Sequence, residues 1–370
     1  MAGPGLRALE RRPHLRAAGR EIRVRRAAGR ELPEGLIANP GGAGYYLLSA
    51  HQERLLLDGG RKLVPAERIV VLQDLVALSR AGKLDHGEVL RVVPRLARDP
   101  DRRVVEATIS VASGVRDDQL LGEAELPQYH RWIRDLYAAR ARELGWTPRR
   151  GDGDEVKLLR ASLLKVLGHA ADDPEVVSAA RARAQAWLSD RRSVDPTLVP
   201  VALIVAAEHG DREFFDALHA AARKESDRHH RLLLLEAMGS FRDPAIARDA
   251  MRLALSDEFP ARESIALVYA ATRSVETRQA AFDFVRESFG DLAGRLPIRE
   301  AAGLVTTGAA LCDESKRAGM EAFFGERMAR LPGGPRRYAQ AVEQLRTCAA
   351  FRAAQAPAVS RFFAAAHASR

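Results

Sequence analysis

From Pro65 to the C-terminus the chain carries repeated helix-start signals, and this punctuation constrains the fold more than any other feature. Asp99-Pro100, Asp173-Pro174, Asp195-Pro196 and Asp243-Pro244 each offer an acceptor at the N-cap followed by proline at the first helical position. The carboxylate can take an orphan N–H, and proline gives up an N–H that has no helical partner there. Between such starts the apolar residues fall at i, i+3 and i+4. Val176, Val177, Ala180, Ala184, Trp187 and Leu188 share one face, and Ala281, Phe282, Val285 and Phe289 share another. Links such as Glu208-His209-Gly210-Asp211 and Gly239 to Asp243 are short, so consecutive helices must fold back on one another. Stacked hairpins of this kind build an α-solenoid, a HEAT- or armadillo-like superhelix of antiparallel pairs. The Asp-Pro starts are 74, 22 and 48 residues apart, so the repeat is structural and only loosely HEAT-like.

The expected class is therefore all-α. With 46% hydrophobic and only 6% aromatic residues, the 370-residue chain has ample material for a helical core and little for a sheet. The spacing predicts helices over 65–82, 87–97, 101–114, 125–144, 154–170, 174–190, 196–209, 211–224, 228–240, 244–256, 261–272, 275–289, 297–311, 313–330, 335–350 and 356–368. Residues 1–64 differ in texture. Gly and Pro clusters separate short pieces there, and Glu21 to Arg25 and Tyr45 to Leu48 read as strands, a short β remnant at the N-terminus. The expected division is an Arg-rich, poorly ordered head over 1–30, a β/turn segment over 31–64, and the α-solenoid over 65–370.

The net charge of +9 and pI near 10 invite a nucleic-acid reading, which the distribution argues against. Residues 1–30 hold nine arginines against two acids, a net +7, which leaves only +2 for the other 340 residues. The body is near neutral, so nucleic acid is not an expected partner except through the head. Cys312 and Cys348 lack CxxC spacing and are expected as reduced, buried thiols. No run of about 18 apolar residues occurs, so no membrane partner and a cytoplasmic location are expected.

No active site is recognisable. None of the ten histidines is followed directly by Glu, so the zinc-binding His-Glu-x-x-His is missing from this sequence. His229-His230, with Glu225 four residues before His229, is the best metal candidate. Adjacent histidines point about 100° apart on a helix, so a solvated cap on the helix holding Leu232 to Leu235 is the better account. His86-Gly-Glu88 has no Pro-Cys-x-x-Cys after it. Gly41-Gly42-Ala43-Gly44 lacks the Lys-Ser/Thr of a phosphate loop, and Gly82-Lys83 lacks its earlier Gly, position 77 being Ala. The sequence thus offers no catalytic, cofactor-binding or metal-ligating residue.

A series of passages follows in a fixed order: Gly44-Tyr45-Tyr46; Arg68 through Leu72, Asp74, Ala77-Leu78 and Ala81-Gly82; Leu144-Gly145-Trp146 followed by Asp154-Glu155 and Leu158-Leu159-Arg160; Val199 to Gly210; Arg228 to Phe241; and Ala341 to Cys348 through Phe362-Phe363. Taken together they resemble the C-terminal helical domain of the aminopeptidase N family of zinc metallopeptidases, including the similar domain of the endoplasmic-reticulum aminopeptidases. Leu47 stands where the family has Arg, and Ser49 and Ala50 where it has Asn and Tyr. The resemblance implies a non-catalytic lid that closes over a zinc domain and walls a chamber for peptide, here acting with a separate catalytic part or left as a remnant. Zinc is then expected only in a separate catalytic domain, and the expected partners are such a domain in trans and a peptide. Tyr45 and Tyr46 are candidates for contact with that domain. Arg68 and Asp74 are spaced wrongly for a direct pair and are markers of the resemblance only. The alternative is an independent solenoid scaffold that binds peptide or protein, and a third reading is nucleic-acid binding through the head.

Overall fold

The computed structural model describes residues 14–17, 20–23, 56, 60 and 63–368. Tyr45, Tyr46, the expected strand Tyr45–Leu48 and the Gly41–Gly44 turn lie outside them. The chain is all-α from residue 65 onward, and it divides into two compact units, 1–108 and 109–370.

In the first unit, strands β1 (His14–Ala17) and β2 (Arg20–Arg23) pair antiparallel with Leu15 opposite Ile22. The alternation read over Glu21–Arg25 is thus observed as Arg20–Arg23, inside the segment expected as a poorly ordered head. Helices α1 (Pro65–Arg80) and α2 (His86–Leu96) form a hairpin that buries Val71, Leu72, Leu75, Val89, Leu90, Val93 and Leu96. Glu67 accepts from Val64 N at 3.0 Å and so satisfies a backbone donor left open at the start of α1. Gly82 takes φ +68° just past the helix, a left-handed turn that a side chain would strain. Arg68 pairs with Asp99, Nε to Oδ2 at 3.2 Å, rather than with Asp74. Arg68 and Gly82 are therefore architectural.

Helix α3 (Arg102–Asp117) runs across the unit boundary. The second unit continues with α4 (Leu126–Leu144), α5 (Asp154–Ala170), α6 (Pro174–Ser189), α7 (Val199–Glu208), α8 (Arg212–Lys224), α9 (Arg228–Met238), α10 (Pro244–Arg252), α11 (Ala261–Ala271) and α12 (Arg278–Arg295). Three short pieces follow, α13 (Ile298–Ala301), a 3-10 turn over Ala302–Val305 and α14 (Thr306–Ala309), and then α15 (Glu314–Ala329) and α16 (Gly334–Ala368). Helices α5, α7, α9 and α11 pack side by side in one layer, and α6, α8, α10 and α12 form the other. The first layer is tight. A Cβ on Gly168 would stand 2.5 Å from Val205, so α5 and α7 approach through glycine.

The second layer is spanned by long cations. Arg181 reaches Asp211 at 3.1 Å, Arg212 reaches Asp249 and Arg248 reaches Glu287, each step of 30 to 39 residues carrying the contact to the next helix of the layer. Such exposed pairs each contribute about 0–1 kcal/mol. The apolar interior stabilises the unit more, and Phe282, Phe324, Met320, Met328 and Leu345 close its end.

The caps explain where sequence spacing worked. Asp173 and Asp243 are N-caps, each accepting two backbone N–H groups. Asp99 and Asp195 are not. Asp195 accepts from Thr197 N in a turn, and α7 begins only at Val199; Asp99 accepts from Asp101 N and pairs with Arg68. Asp211, Asp227 and Asp313 cap α8, α9 and α15 without proline. Helix α12 passes its expected end at 289 through a kink at Ser288 and continues to Arg295. Two helices expected over 335–350 and 356–368 are one, because Phe351, Val359 and Phe363 lie buried along its length and hold it through Pro357.

The cysteines also correct the sequence reading. Cys312 and Cys348 form a disulfide, with Cα atoms 5.1 Å apart. Spacing gave no sign of it, because the α15–α16 hairpin creates the proximity.

Candidate functional site

The second unit gathers partly buried charge where helices end. The C-termini of α3, α5, α7, α9 and α11 leave carbonyls without intrahelical donors, which favours cations there. Arg242, in the link after α9, donates to His169 O at 2.6 Å and to Asp172 Oδ1 at 2.7 Å. Arg116, on the last turn of α3, donates to His169 O at 3.3 Å and to Glu276 at 2.7 Å. Arg134 on α4 donates to Ala171 O at 2.8 Å. His209 Nε2 lies 3.0 Å from Gly168 O.

Asp172 is the centre. It follows α5 with φ +47°, a left-handed conformation uncommon outside glycine. Besides Arg242 it faces Arg116 at 3.6 Å, His209 at 3.5 Å and His130 at 3.7 Å. Burial opposes its charge, but Arg242 first, and then Arg116, hold its carboxyl below the usual range. His169 sits between two carboxylates, Nδ1 at 2.7 Å from Glu208 and Nε2 at 3.6 Å from Asp117. Burial alone would discharge the ring; the two acids overcome it and push the pKa up to about 9. Partial desolvation raises the exposed Glu276, yet Ser274 and Arg116 pull it down to about 2. Asp172, His169, Glu276 and the two arginines thus stay charged at neutral pH, while burial pushes His130 down.

A groove of about 510 Å³ runs between α6 and α7, lined by Val177, Ser178, Arg181, Gln185, Ala206 and His209 among others. His209 lines the groove and lies 3.5 Å from Asp172, so the groove borders the charge cluster. Arg181 stacks over Phe214 at 4.1 Å while holding Asp211.

The sequence-derived metal candidates fall elsewhere. Glu225 lies beyond the end of α8, not on the helix of His229 and His230, and is taken by Arg191 at 3.1 Å. His230 approaches it only to 3.9 Å and sets its ring edge-to-face on Trp187. Among the described residues no three His, Cys, Asp or Glu side chains converge to hold a metal ion. His86 is buried in the first unit with Nδ1 3.1 Å from Ser79 Oγ. The Leu144-Gly145-Trp146 to Arg160 passage has a structural role, for Arg160 donates to Leu144 O at 3.2 Å at the end of α4 and pairs with Asp152, while Trp146 takes Arg183 on its face at 4.8 Å.

Sequence reasoning missed Arg116, Asp172, Arg242 and Glu276. One signal was present, in that Asp172 and Arg242 each stand immediately before an Asp-Pro cap, where a charge is placed between one helix end and the next start.

Comparison with known proteins agrees with this architecture. Residues 36–347 match the ERAP1-like C-terminal domain, and the chain belongs to that family. It is 25% identical over 301 residues to Aminopeptidase M1-D of Oryza sativa subsp. japonica, 78% of this chain and 33% of that protein. It is 25% identical over 238 residues to rice Aminopeptidase M1-A, 61% and 27% respectively, and over 237 residues to Aminopeptidase M1 of Arabidopsis thaliana, 62% and 26%. The chain therefore spans about a third or less of the length of the curated relatives it matches. No helix among the described residues is long and apolar enough to cross a membrane.

Proposed function

We propose that this protein is a non-catalytic helical domain that works beside an aminopeptidase catalytic part, as a lid and as a wall for the peptide's distal end. The family match over residues 36–347 carries this reading. The chemistry is in keeping with it. The sequence lacks His-Glu-x-x-His, and the charges around Asp172 are paired with one another rather than poised for proton transfer. Zinc would then reside in the catalytic part, and peptide would meet the repeat layers, loosely HEAT-like, along their Arg-bearing surfaces. Tyr45 and Tyr46 are proposed to face the catalytic part. A cytoplasmic working place belongs to the same proposal.

The test is reconstitution. The full chain is mixed with a zinc aminopeptidase catalytic chain, and binding and peptide hydrolysis are followed. A complex with an altered rate on long peptides supports the lid; absence of both binding and rate change sinks it. A second reading, an independent peptide-binding scaffold, is favoured by the α6–α7 groove. It expects peptide affinity without any peptidase, weakened at least severalfold in Gln185→Arg, and unchanged affinity in that variant removes it.

A further inference from the structure

The second unit closes on itself, and its only disulfide lies on the closing contact. Residues that follow α3 meet residues that follow α14, nearly 200 positions later. Gln119 Nε2 donates to Leu311 O at 3.2 Å, and Arg278 Nη1 donates both to Asp117 O at 3.2 Å and to Ala310 O at 3.1 Å. Helix α16 completes the contact from its far end, where Phe362 and Phe363 pack edge-to-face on Trp132 of α4 at 5.7 and 5.8 Å. The turn over residues 310–313 is thus held by side chains toward α3, and the Cys312–Cys348 bond ties it to the middle of α16. Among the described residues three non-glycine positions have positive φ, and two of them, Gln119 at +55° and Cys312 at +52°, face each other across this seam. Conformations of that kind persist only where surrounding contacts enforce them.

We propose that the Cys312–Cys348 pair is a redox latch on this seam. Oxidised, it fixes the 310–313 turn to α16; reduced, it frees the turn and lets the seam open while the stacked layers stay folded. The chemistry is a dithiol exchange. Cys312 is buried and Cys348 half-buried, so a thiolate of the reductant attacks Cys348 Sγ and the sulfur–sulfur bond breaks. Cys312 leaves as a thiolate and takes a proton. The second thiol of the reductant then displaces Cys348, which is protonated in turn, and the reductant departs as its own disulfide. Two electrons and two protons pass to the protein. In a reducing compartment such a bond is transient and sensing rather than permanent.

The full chain, purified without reductant and oxidised with diamide, is compared with the same protein treated with dithiothreitol. Alkylation and mass measurement count the free thiols, thermal melting gives Tm, and hydrogen exchange reports each peptide. The latch expects no free thiol when oxidised and two when reduced under native conditions. It expects a fall in Tm of roughly 5–10 °C on reduction, for a bond that spans 36 residues. Exchange should rise at 117–120, 310–313 and the second half of α16, and stay level in α7 and α9. Cys348→Ser, at the half-buried position, should match the reduced protein and ignore dithiothreitol. Free thiols after diamide, unchanged exchange at the seam on reduction, or a bond that yields only after global unfolding would each overturn the proposal.

Discussion

His86 in the first unit and His169 in the second are both largely removed from water, yet they hold opposite charge states. Burial and the nearby Arg80 push His86 down to about 4, so it is neutral across the physiological range. His169 is pushed up to about 9 because Asp117 and Glu208 face its two nitrogens and overcome the same desolvation. Burial alone therefore does not set a histidine's charge; the partners brought to its ring nitrogens do. The hairpin of α1 and α2 places His86 against a hydroxyl, whereas the converging helix ends of the second unit surround His169 with acids.

The largest test of this contrast is Arg278, a buried cation satisfied by carbonyls instead of carboxylates. Arg278→Ala leaves Asp117 O and Ala310 O without that donor and should cost roughly 3 kcal/mol or more in urea unfolding. Arg278→Met restores the volume but not the donors, so recovery of full stability in that variant would show the charge to be a net burden.

The two histidines come next, with opposite pH windows. His169 has a raised folded pKa, so its contribution is complete below pH 6.5 and is lost as pH rises through about 9, a loss of roughly 2–3 kcal/mol. His86 has a lowered folded pKa, so its neutral form stabilises the fold above pH 6.5. That contribution fades as pH falls from 6.5 toward 4, by a similar amount. Imidazole titration by NMR, with His169→Gln and His86→Gln as assignments, should find one midpoint near 9 and no midpoint for His86 above 5. A common midpoint near 6.5 would erase the comparison.

Smallest is the cap pair. Asp211→Ala removes an N-cap whose carboxylate accepts from Phe214 N at 2.9 Å and should cost about 1 kcal/mol. Asp195→Ala, at a turn before α7, should cost less. Equal losses would mean that α7 depends on Asp195 as on a true cap.

Much of the helical order was legible because caps and apolar spacing are local. Asp173, Asp243 and the face from Val176 to Leu188 needed no knowledge of neighbours, and α5 was read over its observed residues, 154–170. Reading failed where a distant contact overrode a local signal. Pro357 marks a break by its own chemistry, yet α16 runs through it because Phe351, Val359 and Phe363 are buried against the rest of the unit. Gly303 and Gly308 hide the opposite effect, since the expected helix over 297–311 is broken into short turns where those glycines lie against Tyr269 and Met320.

The sequence by itself determined that the chain is helical from Pro65 on, where most helices begin, and which family it resembles, since each of these rests on residues within a few positions of one another or on motifs in a fixed order. Only the tertiary structure decided that Arg116, His169, Asp172, Glu208, Arg242 and Glu276 form one charge cluster and that Cys312 meets Cys348. These partners stand tens to more than a hundred residues apart, and their meeting is set by how successive helices stack, a sum of many packing contacts that no local pattern records.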